Sequence, residues 1–341
     1  MSEHTQNPPR VLRVTDLDAD QLAHALLPAA EVLRRGGLVA FPTETVYGLG
    51  ADGLDADAVR KIFAAKGRPA NNPLILHVTD EKHASSLSAT WPERAQALAD
   101  ACWPGPLTLV LARSSVVPDA VTAGGPTVAV RAPAHPVARA LIELAGRPLA
   151  APSANRYTQV SPTLADHVVK GLGARVEIVV DAGPARVGLE STILSLAHDP
   201  PRILRPGTIQ RARIEEILGV PVGYLDDAVD DDAPAMMSPG LARKHYAPSA
   251  RVVLLGEDGA TWEALCEASR PTALGAIVTR APVPAGVHTV RLEHTPEAVA
   301  RGLYAALHEL DELGCAVIAV QNLPDDEAWR AVHNRLSRAV S

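Results

Sequence analysis

Between Gly36 and Leu218 short apolar runs alternate with helix-length amphipathic stretches, and no other feature restricts the fold of this chain as much. Strands are predicted at Leu38 to Phe41, Leu74 to Val78, Leu107 to Leu111, Thr127 to Arg131, Pro148 to Ala151, Ile178 to Asp181, Thr192 to Leu196 and Ile203 to Leu204. Helices are predicted to begin after Asp55, Thr90, His135, Ser161 and Thr208, several of them ending at a glycine such as Gly67, Gly146 or Gly219. Such a mixture is α/β, and its direct strand-to-strand steps argue against an all-parallel sheet.

The pattern lapses between Val222 and Ala250, where five aspartates, at 226, 227 and 230 to 232, would repel one another in a packed element. This stretch reads as a linker or exposed loop. Strand-like runs then return at Val252 to Leu255, Ala276 to Val278 and Val317 to Val320, with a helix announced by Thr295 as cap and Pro296 in its first turn. With 341 residues to place, two domains are the expectation: 12–221, a linker over 222–248, and a smaller α/β domain over 249–341.

Composition narrows the partners. A net charge of −7 supplies no global field for a polyanion, and 3% aromatic residues leave few rings for stacking bases. Any anion site must therefore be local. Cys102, Cys266 and Cys315 are far apart and form no C-x-x-C pair, so neither a disulfide framework nor a zinc site is signalled. The leading MSEHTQNPPR lacks the apolar core of a secretory signal and no apolar run has membrane-spanning length, so a cytoplasmic protein is expected.

YGLGADGL, from Tyr47 to Leu54, contains G-x-G-x-x-G at Gly48, Gly50 and Gly53. A dinucleotide fingerprint requires a strand ending at the first glycine and an acid about 20 residues on. Here six residues separate Phe41 from Gly48, and counting on from Gly53 lands in NPLILHV. The glycines read better as a tight turn or a close approach to neighbouring backbone or ligand.

Several polar residues stand at predicted strand ends, where α/β sheets commonly bind ligands. Thr43 and Thr45 follow the first strand; Lys66 and Arg68 end a helix, serving either its dipole or a phosphate clamp. His77 is either a hydrogen-bonded structural residue or part of a site. Arg131 closes TVAVR, a position suited to holding a carboxylate; Ser153 and Asn155 offer donors to a phosphate or ribose or else build an ordinary turn. No nucleophile is paired with a base and no metal-ligand spacing occurs, so the chemistry points to positioning and charge stabilisation.

Taken in order, FPTETVYGLG, KGRPANNPLILHV, WPGPLT, VAVRAP, APSAN, LESTI, ILRPG and KHYAP resemble the YrdC-type threonylcarbamoyl-AMP synthase family over roughly residues 30 to 248. The segment beyond resembles, more loosely, the C-terminal extension of the two-domain members. The resemblance implies a YrdC-like twisted mixed sheet followed by a smaller Rossmann-like α/β domain. It also implies the joining of L-threonine, bicarbonate and ATP into threonylcarbamoyl-AMP, with pyrophosphate released. The product would supply the downstream tRNA threonylcarbamoyl transferase machinery.

By the same resemblance Thr45, His77, Arg131, Ala151 and Ser191 line the threonine pocket, Arg131 holding the carboxylate. Arg68, Asn72, Thr127, Ser153, Asn155, Ser161, Arg205 and Tyr246 contact the nucleotide. Lys66 and Arg68 are implied as the catalytic cations, neutralising charge as a carbamate oxygen attacks the α-phosphate. Magnesium is expected with ATP, held mainly by its phosphates and by no dedicated protein ligand. The glycines would shape a turn beside the threonine pocket, and the linker ending at Tyr246 would cover the nucleotide as a lid. Two readings of other classes compete: a double-stranded RNA-binding module without ATP chemistry, and a dehydrogenase resting on the glycine pattern.

Overall fold

The computed structural model describes residues 8–225, 246–256, 261–268 and 273–340. Eleven strands form one twisted mixed sheet. They are β1 (Arg10–Arg13), β2 (Val39–Pro42), β3 (Tyr47–Asp52), β4 (Ile75–His77), β5 (Leu107–Ala112) and β6 (Thr127–Arg131), then β7 (Leu149–Ala150), β8 (Ile178–Asp181), β9 (Thr192–Ser195), β10 (Arg202–Arg205) and β11 (Gly223–Tyr224). Their order across the sheet is β1-β8-β2-β3-β7-β4-β6-β5-β9-β10-β11. Among the described residues eight α-helices accompany it: α1 (Ala19–Arg34), α2 (Ala56–Lys66), α3 (Glu81–Leu87), α4 (Glu93–Cys102), α5 (Asp119–Thr122), α6 (Pro136–Ala145), α7 (Ala165–Leu172) and α8 (Arg211–Leu218). The expected mixture of parallel and antiparallel neighbours is present in this sheet: β2 and β3, for example, are joined by a four-residue connection and pair antiparallel.

A second sheet of β12 (Arg251–Leu254), β13 (Ala273–Val278), β14 (His288–Arg291) and β15 (Cys315–Val320) is wholly parallel, in the order β12-β15-β13-β14. Helices α9 (Trp262–Ala268), α10 (Pro296–Glu312) and α11 (Arg330–Ala339) belong to it. Thr295 caps α10 as expected, its hydroxyl accepting from the Ala298 amide at 3.2 Å. The acidic stretch 226–232, and with it most of the expected linker, lies outside the described residues, as do Lys244 and His245.

Caps explain where the helices fall. Asp55 accepts from the amides of Asp57 and Ala58 to start α2, and Gly67 ends it in the left-handed region at φ 63°. The helix expected after Ser161 begins instead at Ala165, because Ser161 to Leu164 stay outside it, with Leu164 extended as its N-cap and Ser161 bonded to Glu190. Those expected after Thr90 and Thr208 begin at Glu93 and Arg211, behind Pro92 and Gln210.

The tight turn expected of the glycines is found at Gly53 alone, which begins the turn after β3; Gly48 and Gly50 lie within the strand, and none of the three has positive φ. Close approach is what requires two of them. A Cβ at Gly50 would stand 2.5 Å from the Phe41 ring, and one at Gly53 2.5 Å from Leu76 and 2.8 Å from the Pro148 carbonyl. A strand pairing antiparallel with β2, with no helix opening on its first glycines, also removes the dehydrogenase reading.

The two sheets share one boundary core. Val46, Val160 and Leu189 of the first unit pack with Val299, Leu303, Tyr304, Leu307 and Leu336 of the second, and Tyr246 joins the same cluster. Apolar burial of this kind fixes the mutual position of the two units.

Candidate active site

Strand pairing gathers the polar residues. His77 and Arg131 close β4 and β6, which run parallel with these two residues in register. Because β7 runs antiparallel to β4, its exit carries Ala151, Pro152 and Ser153 back over Ile75. β9 and β10 are also antiparallel, so Glu190 and Ser191, before β9, meet Arg205 at the end of β10. Between them lies a cleft of about 540 Å³, counted to its open mouth and lined by Thr43, Thr45, Gly48, Arg68, Ile75, His77, Arg131, Ala151, Ser153, Glu190, Ser191, Arg205 and Tyr246 among others.

At one end Arg131, 3% exposed, donates from Nη1 to Thr45 Oγ1 at 3.0 Å and from Nε to the Gly105 carbonyl at 3.2 Å. Its Nη2 stands 2.6 Å from Glu44 Oε1, an ion pair without an aligned hydrogen bond. Burial pushes the Glu44 carboxyl up, yet Arg131 outweighs it and leaves the group below its ordinary value. Beside this pair burial, then Arg131, push the His77 imidazole down to about 3, so it is neutral at pH 7. Its buried Nδ1 has no hydrogen-bond partner among the described residues.

At the other end Arg205 donates to the Ser191 carbonyl at 3.1 Å and to Ser191 Oγ at 3.2 Å; Ser191 Oγ lies 2.8 Å from Thr108 Oγ1. Arg68 donates to Asn72 Oδ1 at 2.6 Å and to the Pro73 carbonyl at 3.0 Å. Burial pushes this guanidinium down to about 10, still charged at pH 7. Tyr246, 2% exposed, closes the wall with φ 65°.

Some expected residues stand behind the lining. Lys66 faces the loop after β7, donating to the carbonyls of Ser153 and Asn155 at 2.5 Å each. Burial, then Arg68, push its ammonium well below the ordinary value. Asn155 accepts from Ser153 Oγ at 2.5 Å, and Asn72 reaches the cleft through Arg68. Ser161 donates to Glu190 Oε1 at 2.5 Å. Thr127, at the far end of β6 from Arg131, is half-buried and is not drawn into the cluster.

Two acids were missed by sequence reasoning, Glu44 and Glu190. Both sit inside motifs already singled out, PTET and LEST, as an acid among apolar and hydroxyl residues directly at a strand boundary. A carboxylate there requires a buried partner, and that partner was the signal to look for.

Glu44 is paired with Arg131 and Glu190 with Arg335, and no cluster of three or more His, Cys, Asp or Glu arranged for a metal occurs among the described residues. No helix among the described residues is long and apolar enough to cross a membrane.

A mixed α/β sheet whose strand ends hold guanidinium groups at both ends of one cleft, with hydroxyls in its lining, has the chemistry to align two anionic ligands. The comparisons give that class a family. Residues 31–207 match the Sua5–YciO–YrdC family, described as telomere recombination, and residues 209–341 match the threonylcarbamoyl-AMP synthase C-terminal domain. A threonylcarbamoyl-AMP synthase of Pyrococcus abyssi is 42% identical over 91% of this chain and 92% of its own, and one of Bacillus subtilis 41% over 92% of each. The crystal structure of P. abyssi Sua5 complexed with L-threonine superposes with a TM-score of 0.86 at 39% identity, covering 97% of this chain and 98% of that one. This chain therefore belongs to the two-domain threonylcarbamoyl-AMP synthase family.

Proposed function

We propose that this protein makes threonylcarbamoyl-AMP from L-threonine, bicarbonate and ATP, releasing pyrophosphate and water. The observation that carries the reading is the arrangement of charge along one cleft: Arg131 at one end beside neutral His77, and Arg68 and Arg205 at the other with Ser191. Arg131 takes the threonine carboxylate, with Thr45, the Ala151 backbone and Ser191 shaping its pocket. His77, uncharged and with Nδ1 open, offers a hydrogen bond without repelling the threonine ammonium group.

The threonine ammonium group first gives up one proton to solvent; the free amine nitrogen then attacks the bicarbonate carbon, water leaves, and the resulting carbamate carries its charge on oxygen. That oxygen attacks the α-phosphate; the bond to the β-phosphate oxygen breaks and pyrophosphate departs. Arg68 and Arg205 stabilise the charge that spreads over the phosphoryl oxygens. Lys66 acts through the loop it fastens, fixing Ser153 and Asn155 beside the nucleotide, while Asn72 orients Arg68. Ser161 and Tyr246 complete the nucleotide side, and Thr127 serves only if the nucleotide extends along β6. Magnesium arriving with ATP supplies further neutralisation of its phosphates.

The catalytic groups fall in residues 12–221 apart from Tyr246, at the end of the 222–248 segment, with 249–341 packed against them. The product serves the enzymes that transfer threonylcarbamoyl to tRNA, which fits a cytoplasmic protein; no observation favours RNA binding itself. The test is pyrophosphate release from ATP and bicarbonate with and without L-threonine. Threonine-dependent release with an adenylate of the threonylcarbamoyl mass is expected; release that ignores threonine would refute the reading.

A further inference from the structure

Glu190 is 6% exposed and lines the cleft at its nucleotide end, an unfavourable place for a carboxylate if a triphosphate is to lie there. Its neutralising partner comes from the other domain. Arg335 of α11, with no exposed surface, donates from Nε to Glu190 Oε2 at 2.8 Å and from Nη2 to the Glu190 carbonyl at 3.3 Å. Its Nη1 donates to the Pro206 carbonyl at 2.9 Å, next to Arg205. Tyr304 of α10 donates to Glu190 Oε2 at 3.1 Å, and its ring stacks on Tyr246 with centroids 5.7 Å apart.

The alternative partner for Glu190 is Arg205, whose charge acts on the same carboxylate. Pairing Glu190 with Arg335 leaves Arg205 directed at Ser191 and the cleft. Resting on the nucleotide assignment proposed above, we propose that Arg335 is a positioning residue of the active site: by neutralising Glu190 across the domain boundary, it keeps Arg205 available to phosphate oxygens. The second domain thus supplies a charge that the first domain's nucleotide site requires.

The experiment is direct ATP binding by calorimetry with the full-length chain, which needs no turnover and so remains informative if the proposed reaction is wrong. Arg335→Met is expected to weaken ATP binding by about 10- to 100-fold, because an uncompensated buried carboxylate then faces the phosphates and competes for Arg205. L-Threonine affinity should change less than about twofold. Glu190→Gln added to Arg335→Met should restore ATP affinity to within about threefold of the parent, a rescue that a merely structural Arg335 would not show. Glu312→Gln, which breaks only the exposed cross-domain pair with Lys170, should leave ATP binding unchanged. Should the Met variant fail to fold, Arg335→Gln, uncharged yet able to donate to Pro206, carries the same expectation. Unaltered ATP affinity in the folded single variant, or a double variant no better than the single one, would overturn the proposal.

Discussion

Glu44–Arg131 and Glu190–Arg335 are both buried acid–arginine pairs on the same cleft, yet they are built in opposite senses. In the first, the arginine is the group proposed to meet the ligand, and the acid braces it from the β2–β3 connection of the same domain. In the second, the acid lines the cleft and the arginine braces it from another domain, 145 residues away. The loop between them couples the two ends: the Val187 and Gly188 amides donate to the Glu44 and Thr45 carbonyls, and Glu190 follows two residues later. A charge pair of this kind does little for net stability, because desolvation offsets attraction. Its use is to decide which charge the ligand meets.

That asymmetry is open to direct attack. The largest effect is expected from Arg131→Met, which should weaken L-threonine binding by about 100-fold or more while stranding Glu44, a loss of roughly 3–5 kcal/mol in stability. Adding Glu44→Gln should recover stability in thermal melts but not threonine binding, unlike the rescue expected at Glu190. Recovery of both would erase the distinction between the pairs.

Gly188→Ala comes next. Its φ is +82°, and a Cβ there would stand 2.5 Å from the Ala300 carbonyl on α10, so backbone must move. A loss of about 1–3 kcal/mol in stability is expected, with both ligands bound less tightly, since this loop serves both ends. Tyr304→Phe removes one hydrogen bond from Glu190 and should cost about 1 kcal/mol, read as weaker ATP binding with threonine binding unaffected.

The smallest effect is one of pH. Burial, then its stacked neighbour His308, hold His167 down at about 3, and burial also lowers His308, which lies across the domain boundary on α10. An unfolded chain takes up these protons near pH 6.5, so folded stability is full above that pH and declines as pH falls toward 3. Burial pushes the Glu190 carboxyl up, but Arg335 and Arg205 bring it down to about 2. Its contribution is therefore lost between pH 4.5 and about 2. In Arg335→Met this lower limb should move to higher pH, and acid unfolding followed by circular dichroism would reveal it.

Local features of the sequence were legible because local chemistry sets them. Asp55, His135 and Thr295 announced their helices, Gly67, Gly146 and Gly219 ended theirs, and Thr127 to Arg131 is a strand as its alternation implied. The edge strand Arg10–Arg13 and helix α1 went unread, although Asp18 and Gln21 form a capping box. The close approach expected of the glycines holds, but the neighbours were out of reach of the sequence because they are tertiary: the Phe41 ring at Gly50 and the Pro148 carbonyl at Gly53 claim the space a side chain would need. Motif order gave Arg131, His77 and Ser191 as cleft residues. It gave no hint of Arg335, because nothing in RAVHNRLSRA distinguishes a buried arginine from one on a solvated helix face.

The most direct test of the two-ended cleft is to titrate L-threonine and ATP separately into Arg131→Met and compare each with the parent chain. The account predicts that threonine binding is lost while ATP affinity stays within about threefold. ATP binding that collapses with it, or threonine binding that survives, would contradict the assignment of the two ends.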